Sequence, residues 1–374
     1  MSIFISKITN LIKFFTFLSA KRDSYRLIKR KTLLAYRAHG LRGIINLFRY
    51  ALSQSLNGDI SSLTIYNYHN WFNTYYSISA ERKKQILNAI SDFQSHPTIT
   101  ILLPTYEPNH EWLKSAIESV RNQIYPHWQL CIADDASRNK EIKELLSYYE
   151  TKDTRIKVKY RTKNGHISET SNTALEIAEG EFIGLLDHDD VLTEDALFWV
   201  ASTINKYPKA ALIYSDEDKI DNKGNLLEPY FKSDWNYYLF LSQNMVSHFG
   251  VYKTSIVKTI GGFRKGFEGS QDYDLALRFI EQIDAVQIMH IPRVLYHWRI
   301  HGESTASHIK SKPYAVRAAQ RAVLEHFDRS QIEAQVVTLP INFFQIKYKL
   351  PPELPLVCII ISSKNNSVLL KKCI

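Results

Sequence analysis

GEFIGLLDHDD, residues 180–190, decides the reading of this chain. Phe182–Leu186 is an apolar run of strand length, bounded by Gly180 before it and by Asp187-His188-Asp189-Asp190 after it. A short apolar run between breakers reads as a buried strand. Three acids in the next four residues put charge where that strand must end. Upstream, the pattern around Glu169–Ala178 predicts a helix, with Gly180 as its C′ glycine. Downstream, Thr193-Glu194-Asp195 supplies a hydroxyl cap and early acids for another helix.

The same alternation extends outward in both directions. Ile99–Leu103, Gln129–Ala133, Ile156–Tyr160 and Ala211–Tyr214 read as further strands, with one more over Val286–Ile291. Between the first two lies a helix in which Trp112, Ala116, Ile117 and Val120 share a face. Strands alternating with helices imply an α/β fold with an open, mostly parallel sheet and right-handed crossovers. Such sheets bind ligands beyond the carboxyl ends of their strands. The residues just past each strand are therefore site candidates: Pro104-Thr105-Tyr106-Glu107 after the first and Asp134-Asp135-Ala136-Ser137 after the second. Asp187–Asp190 comes after the fourth, and Ser215-Asp216-Glu217-Asp218 after the fifth.

So many carboxylates on one rim repel one another unless a cation offsets them. Asp187-x-Asp189 after a buried strand suits Mg²⁺ or Mn²⁺, which bind a few carboxylates together with phosphate oxygens and water. A metal there would clamp the diphosphate of a nucleotide sugar. Neither a Gly-x-Gly-x-x-Gly turn nor a Gly-Lys-Ser/Thr loop comes after the first strand, which argues against dehydrogenase and P-loop readings.

Taken together, ILLPTYE (101–107), IADDAS (132–137), NGHISETSN (164–172), GEFIGLLDHDD, YSDEDKID (214–221), GGFRKGFEGSQDYDLALR (261–278) and YHWRIHGEST (296–305) resemble the inverting family 2 glycosyltransferases of GT-A fold. The last three look like the bacterial surface-polysaccharide branch, the O-antigen and capsule enzymes. The resemblance covers about Thr98 to Thr305. It implies a UDP- or dTDP-sugar donor, with Tyr106 against the nucleobase and Asp135 accepting a hydrogen bond from it. Pro104, Glu107 and Asp187 would complete the donor side. Asp187 and Asp189 match the family's Asp-x-Asp, with Asp189 or Asp190 touching the metal. Asp272 falls at the family's catalytic base, although Gln271 stands where many members have Glu. The acceptor, a glycan or lipid-linked glycan, would meet Asp216, Glu217, Asp218 and Trp235.

Several side chains carry open alternatives. His301 is the favoured histidine for metal or phosphate over His297, Arg299 fits a phosphate contact or an ordinary ion pair, and His166 reads as a surface loop residue. Trp235, Phe231 and Asp234 suit a sugar platform or an ordinary aromatic core. A sugar nucleotidyltransferase and an inactive membrane scaffold of the same fold are the competing function classes. Asp274 is expected to complement the helix dipole, leaving Asp272 for chemistry.

The 374 residues carry a net charge of +9, and residues 1–50 hold eleven Lys or Arg against the single acid Asp23. The remaining body is nearly neutral, which argues against nucleic acid as a partner. Ile3, Phe4, Ile8, Leu11, Ile12 and Phe15 recur at helical spacing among these basic residues. The arm suits a helix in an anionic membrane interface or one packed on the main domain. It is too interrupted by Lys7, Asn10 and Lys13 for a span. Three widely spaced cysteines fit a reducing, cytoplasmic setting, with the inner membrane face as a further contact. The organisation expected is a basic and aromatic-rich helical region over 1–96, a glycosyltransferase domain over 97–330 and a linker over 331–355. Ile359–Ile374 parallels Ile101–Ile117, so 356–374 reads as the start of a second, truncated glycosyltransferase domain.

Overall fold

The computed structural model describes residues 61–300, 313–339 and 343–374. The basic arm and His301 lie outside the described residues. Two helices lead in, α1 (Ser61–Tyr75) and α2 (Ala80–Ser91), and the Ser79 hydroxyl caps the second. The sheet then begins with β1 (Ile99–Thr105), α3 (His110–Arg121), β2 (Trp128–Asp134), α4 (Lys140–Lys152) and β3 (Ile156–Tyr160). Next come α5 (His166–Glu176), β4 (Phe182–Leu185), β5 (Val191–Leu192), α6 (Ala196–Lys206) and β6 (Leu212–Ile220). The remainder is β7 (Leu226–Tyr230), α7 (Tyr237–Ser242), β8 (Gly250–Lys253), α8 (Thr254–Thr259), α9 (Gln271–Ile280), β9 (Ile288–Arg299), α10 (Pro313–Arg329), the hairpin β10 (Ala334–Thr338) and β11 (Phe344–Tyr348), and α11 (Ser367–Cys373). No described helix is long and apolar enough to cross a membrane.

The main sheet runs β3-β2-β1-β4-β8-β6-β9-β5, with β7 paired to β6. Its first four strands are parallel, as the alternating pattern predicts. Beyond β4 the sheet is mixed. β8 lies antiparallel between β4 and β6, β9 is parallel to β6, and β5 and β7 run antiparallel to their neighbours. Successive strand residues point to opposite faces. Ile101 and Leu103 of β1 therefore enter a core with Leu113, Ile117, Leu146 and Leu197, while Leu102 joins Ala174, Phe240, Leu275 and Phe327 on the other side. The helix ends obey ordinary capping chemistry. Asn109 accepts from the amides of Glu111 and Trp112, and Glu111 and Arg121 complement the dipole at opposite ends of α3.

Several sequence expectations require correction. β6 continues through Ser215–Asp218, so these acids lie within a strand, shielded by pairing to β7 and β9. The strand expected over Val286–Ile291 starts at Ile288 and continues to Arg299. Asp195 caps α6 without a side-chain bond, because Thr193 donates to the Asp195 carboxylate at 2.9 Å. Apart from these corrections, Leu356–Ile374 holds the helix α11, with side chains mostly exposed.

Gly180 is not a left-handed C′ residue either, since α5 is capped at Ile177 and Gly180 has no positive φ. It is glycine because β1 presses on it. A Cβ there would meet the Thr98 carbonyl and Thr100 Oγ1 at 2.6 Å and the Thr100 nitrogen at 2.8 Å. Two of these are backbone atoms at a central strand and cannot yield. Gly180→Ala is therefore expected to destabilise the fold by ~1–3 kcal/mol or more through overpacking. An unchanged urea midpoint would show that β1 can move aside.

Candidate active site

The loop after β4 is built around Asp190, which is completely buried. The Tyr296 hydroxyl donates to Asp190 Oδ2 at 2.6 Å and accepts from the Asp187 amide at 3.2 Å. The Arg299 amide donates to Asp190 Oδ1 at 2.7 Å, and its guanidinium Nε donates to the Asp189 carbonyl at 2.6 Å. Two residues of β9 thus fix the loop at the end of β4. Arg299 is buried and serves as this brace, unlike an ordinary surface ion pair.

His248 completes the centre, and the sequence reading missed it. Because β8 runs antiparallel to β4, the residues just before β8 stand beside those just after β4. Asp187, Asp190 and His248 each present a ligand atom, all within 4.8 Å of one another. Asp189 is not in this group. Burial pushes the Asp187 and Asp190 carboxyls above the usual carboxylate range, and their crowding with Asp189 pushes further the same way. Burial alone would lower His248, yet Glu217, with Asp190 and Asp187, lifts it to about 9. A site that raises its acids and charges its imidazole favours added positive charge. Two carboxylates with an imidazole form a donor set that fits a divalent cation.

Lys232 and Glu217 hold His248 in place. The fully buried Lys232 ammonium pairs with Glu217 at 2.9 Å and donates to the Val246 and His248 carbonyls. The His248 amide donates to Glu217 Oε2 at 3.1 Å. Burial would raise Glu217, but Lys232 and His248 hold it down at about 2.

Asp272, the second residue of α9, faces the same cavity, whose walls include Pro104, Asp187, His248, Phe263 and Tyr296. The Asn244 side-chain amide donates to its Oδ2 at 2.7 Å. Burial raises Asp272 above the ordinary range despite that bond, the helix-end amides and His248. Gln271 lines the same cavity and accepts from the Gly269 amide at 2.8 Å.

At the other end of the crevice, Tyr106 is 47% exposed and Asp135 is 2% exposed. Asp135 accepts from the Gly165 amide at 2.9 Å and pairs with Arg161 at 2.9 Å. The Glu107 amide donates to Ser137, and the Glu107 carboxylate accepts from the Arg138 amide at 2.7 Å, tying the first two strand ends together. Glu107, Ala136, His166 and Ser247 all take positive φ without being glycine. Such backbone strain gathers at functional sites. His166 is exposed, as expected, but it opens α5 and does not belong to the loop before it.

Other candidates are drawn elsewhere. Asp216 bonds the Lys232 amide and His290, while Asp218 bonds Tyr68 and His297. His297 packs edge-on to Phe72, so it braces α1 and is absent from the acidic cluster. Phe231 meets Trp71, and Asp234 pairs with His290 at 3.1 Å. Trp235 packs on Phe240 and opens into a separate cavity.

Residues 100–261 match the family model described as glycosyl transferase family 2. The chain carries a family 2 glycosyltransferase domain. An uncharacterized protein, y4gI, of Sinorhizobium fredii is 44% identical to this chain over 73% of the chain and 30% of its own length. The O-antigen biosynthesis protein RfbC of Myxococcus xanthus is 31% identical over 76% of the chain and 22% of its length. The chain thus spans less than a third of either relative. In structure it resembles S. aureus TarS 1–349, solved in complex with UDP-GlcNAc, with a TM-score of 0.51 and 19% identity. That match covers 62% of this chain and 66% of the other. The likeness establishes a shared fold, in keeping with the GT-A expectation.

Asp274 overturns an expectation of its own. It is wholly buried and engages both Arg264 and Arg278, the latter at 2.9 Å. Arg278 also donates to the Ile260 and Gly262 carbonyls at 2.9 and 2.6 Å. Asp274 is therefore a buried anchor for the loop before α9. Asp274→Asn is expected to cost ~3–5 kcal/mol of stability, the scale for breaking a buried charge pair. Chemical denaturation measures it, and a loss under about 1 kcal/mol would return Asp274 to a minor dipole role.

Proposed function

We propose that this chain is an inverting, metal-dependent transferase that moves a sugar from a nucleoside diphosphate sugar to a glycan hydroxyl in surface-polysaccharide synthesis. The observation that carries the reading is that Asp187, His248 and Asp272 line one cavity at the carboxyl ends of β1 and β4, with Asp190 clustered behind Asp187 and His248. The family match and the polysaccharide relatives support the same class.

Asp187, Asp190 and His248 would hold Mg²⁺ or Mn²⁺, which supplies charge neutralisation to a diphosphate leaving group when bound. His248 here takes the place first expected for Asp189 or His301. Tyr106 offers its exposed ring to the nucleobase, and Asp135 with the Gly165 amide marks the polar end of that subsite. A UDP donor, as in the TarS complex, is the first to try, with dTDP-sugars second. An acceptor hydroxyl is a poor nucleophile at neutral pH, so a carboxylate must take its proton as the bond forms. Asp272 does this: the hydroxyl oxygen bonds to the anomeric carbon while the diphosphate departs with the electron pair of the broken bond. One displacement from the opposite face inverts the anomeric centre. Burial makes Asp272 a stronger base than an exposed carboxylate, and Asn244 fixes its orientation.

Asp272→Asn is expected to lower sugar transfer about a hundredfold or more while donor affinity stays within about twofold. Transfer near the wild-type rate, or a product retaining the donor's anomeric configuration by NMR, would defeat the mechanism. Asp187→Ala should abolish the Mn²⁺-dependent part of UDP-sugar binding in calorimetry. Equal binding by wild type in EDTA would remove the metal from the proposal.

A further inference from the structure

A second cavity, of about 640 Å³, opens at the far end of α9. Glu281, in its wall, lies nine residues beyond Asp272, or ~13 Å at helical rise. Its lining shares no residue with the crevice that holds Asp272. The volume is that of a small-molecule site, yet nothing in the proposed transfer uses it.

The chemistry of its walls identifies the occupant. Its apolar lining comes from Trp235, Ile280, Ile283 and Ile288. Its polar lining comes from Gln282 and Ser330, both exposed, and from a pre-formed network. Glu281 accepts from His326 Nδ1 at 2.6 Å and from Arg329 Nε at 2.8 Å, and His326 Nε2 meets the Tyr237 hydroxyl at 2.8 Å. The acid is thus neutralised before any ligand arrives, and the guanidinium is already spoken for. No other carboxylate, lysine or arginine lines the cavity among the described residues. Neither a metal nor a phosphate finds uncompensated charge here. A neutral molecule with an apolar face and several hydroxyls fits this mixed lining, with Gln282 and Ser330 able to exchange hydrogen bonds with its hydroxyls.

We infer that this cavity is a second glycan-binding site, which grips a neutral stretch of the acceptor polymer away from its reacting end. The inference rests on the reading that the acceptor is a glycan. Binding there leaves chemistry untouched and raises the affinity of long acceptors over short ones by holding two points at once.

The test titrates the whole chain with maltohexaose, cellohexaose and chitohexaose, with hexagalacturonate as the charged control, and measures UDP-sugar hydrolysis in parallel. At least one neutral hexasaccharide is expected to bind. Its affinity should fall about tenfold or more in Trp235→Ala, which removes the apolar face, and in Ser330→Trp, which fills the cavity from its rim. Asp272→Asn should bind it as wild type does, and donor hydrolysis should be unchanged in both cavity variants. Ser330→Trp keeps the Trp235–Phe240 packing, so it remains decisive if Trp235→Ala unfolds. Failure of all three neutral sugars to bind, preference for the acidic one, or full binding by Ser330→Trp overturns the inference. Glycan binding without hydrolysis of any UDP- or dTDP-sugar would remove the transferase reading and leave the cavity assignment standing.

Discussion

Charge balance in a buried rim governs this molecule. Asp187, Asp190, Asp272 and Glu217 converge where water is scarce, and acids so placed cannot all stay ionised unless opposite charge is built in beside them. Lys232 provides part of that charge, and His248 takes up more of it, as an imidazolium or, deprotonated, as a ligand to a cation. Much of the surrounding architecture serves to position those two side chains. β8 enters antiparallel so that His248 arrives at the rim, and the strand pair β6–β7 brings Glu217 and Lys232 within reach of each other. The remaining imbalance is what suits the centre to a divalent ion.

The parallel half of the sheet was legible because its signals are local. Apolar runs at Ile99–Leu103, Gln129–Ala133, Ile156–Tyr160 and Phe182–Leu186 needed only length and flanking breakers to be seen, and the residues immediately after them include Asp187 and Asp135. His248 was invisible for a geometric reason. Inspecting the carboxyl end of each strand covers only half of the rim, whereas an antiparallel neighbour delivers the residues that precede it. The surroundings of Trp235 and of the β6 acids were hidden by a related limit. Residue type suggests sugar contact, but burial and partners depend on pairings such as Asp218 with Tyr68, 150 residues apart. Asp274 shows the same thing over a shorter span, since its partner Arg264 is ten residues away on a loop whose path no periodicity reveals.

Family membership and site geometry constrain the chemistry at different scales. The matched segment, 100–261, ends before Asp272, so the assignment of the base rests on the cavity that brings α9 against Asp187 and His248. Conversely, the acidic triad alone would fit many metal enzymes, and the matched domain narrows it to sugar transfer.

The Asp274 anchor has a mechanical consequence. Arg278 holds the carbonyls of Ile260 and Gly262, Arg264 closes on the same acid, and Asn172 of α5 accepts from the Phe263 amide and donates to the Phe263 carbonyl, both at 2.8 Å. The loop wall containing Phe263, the helix bearing Asp272 and α5 are thereby fastened to one another. Slow opening and closing requires segments with few such ties. Any opening of the crevice must be carried by other parts of the chain, while Asp272 keeps a constant bearing on the cavity it lines.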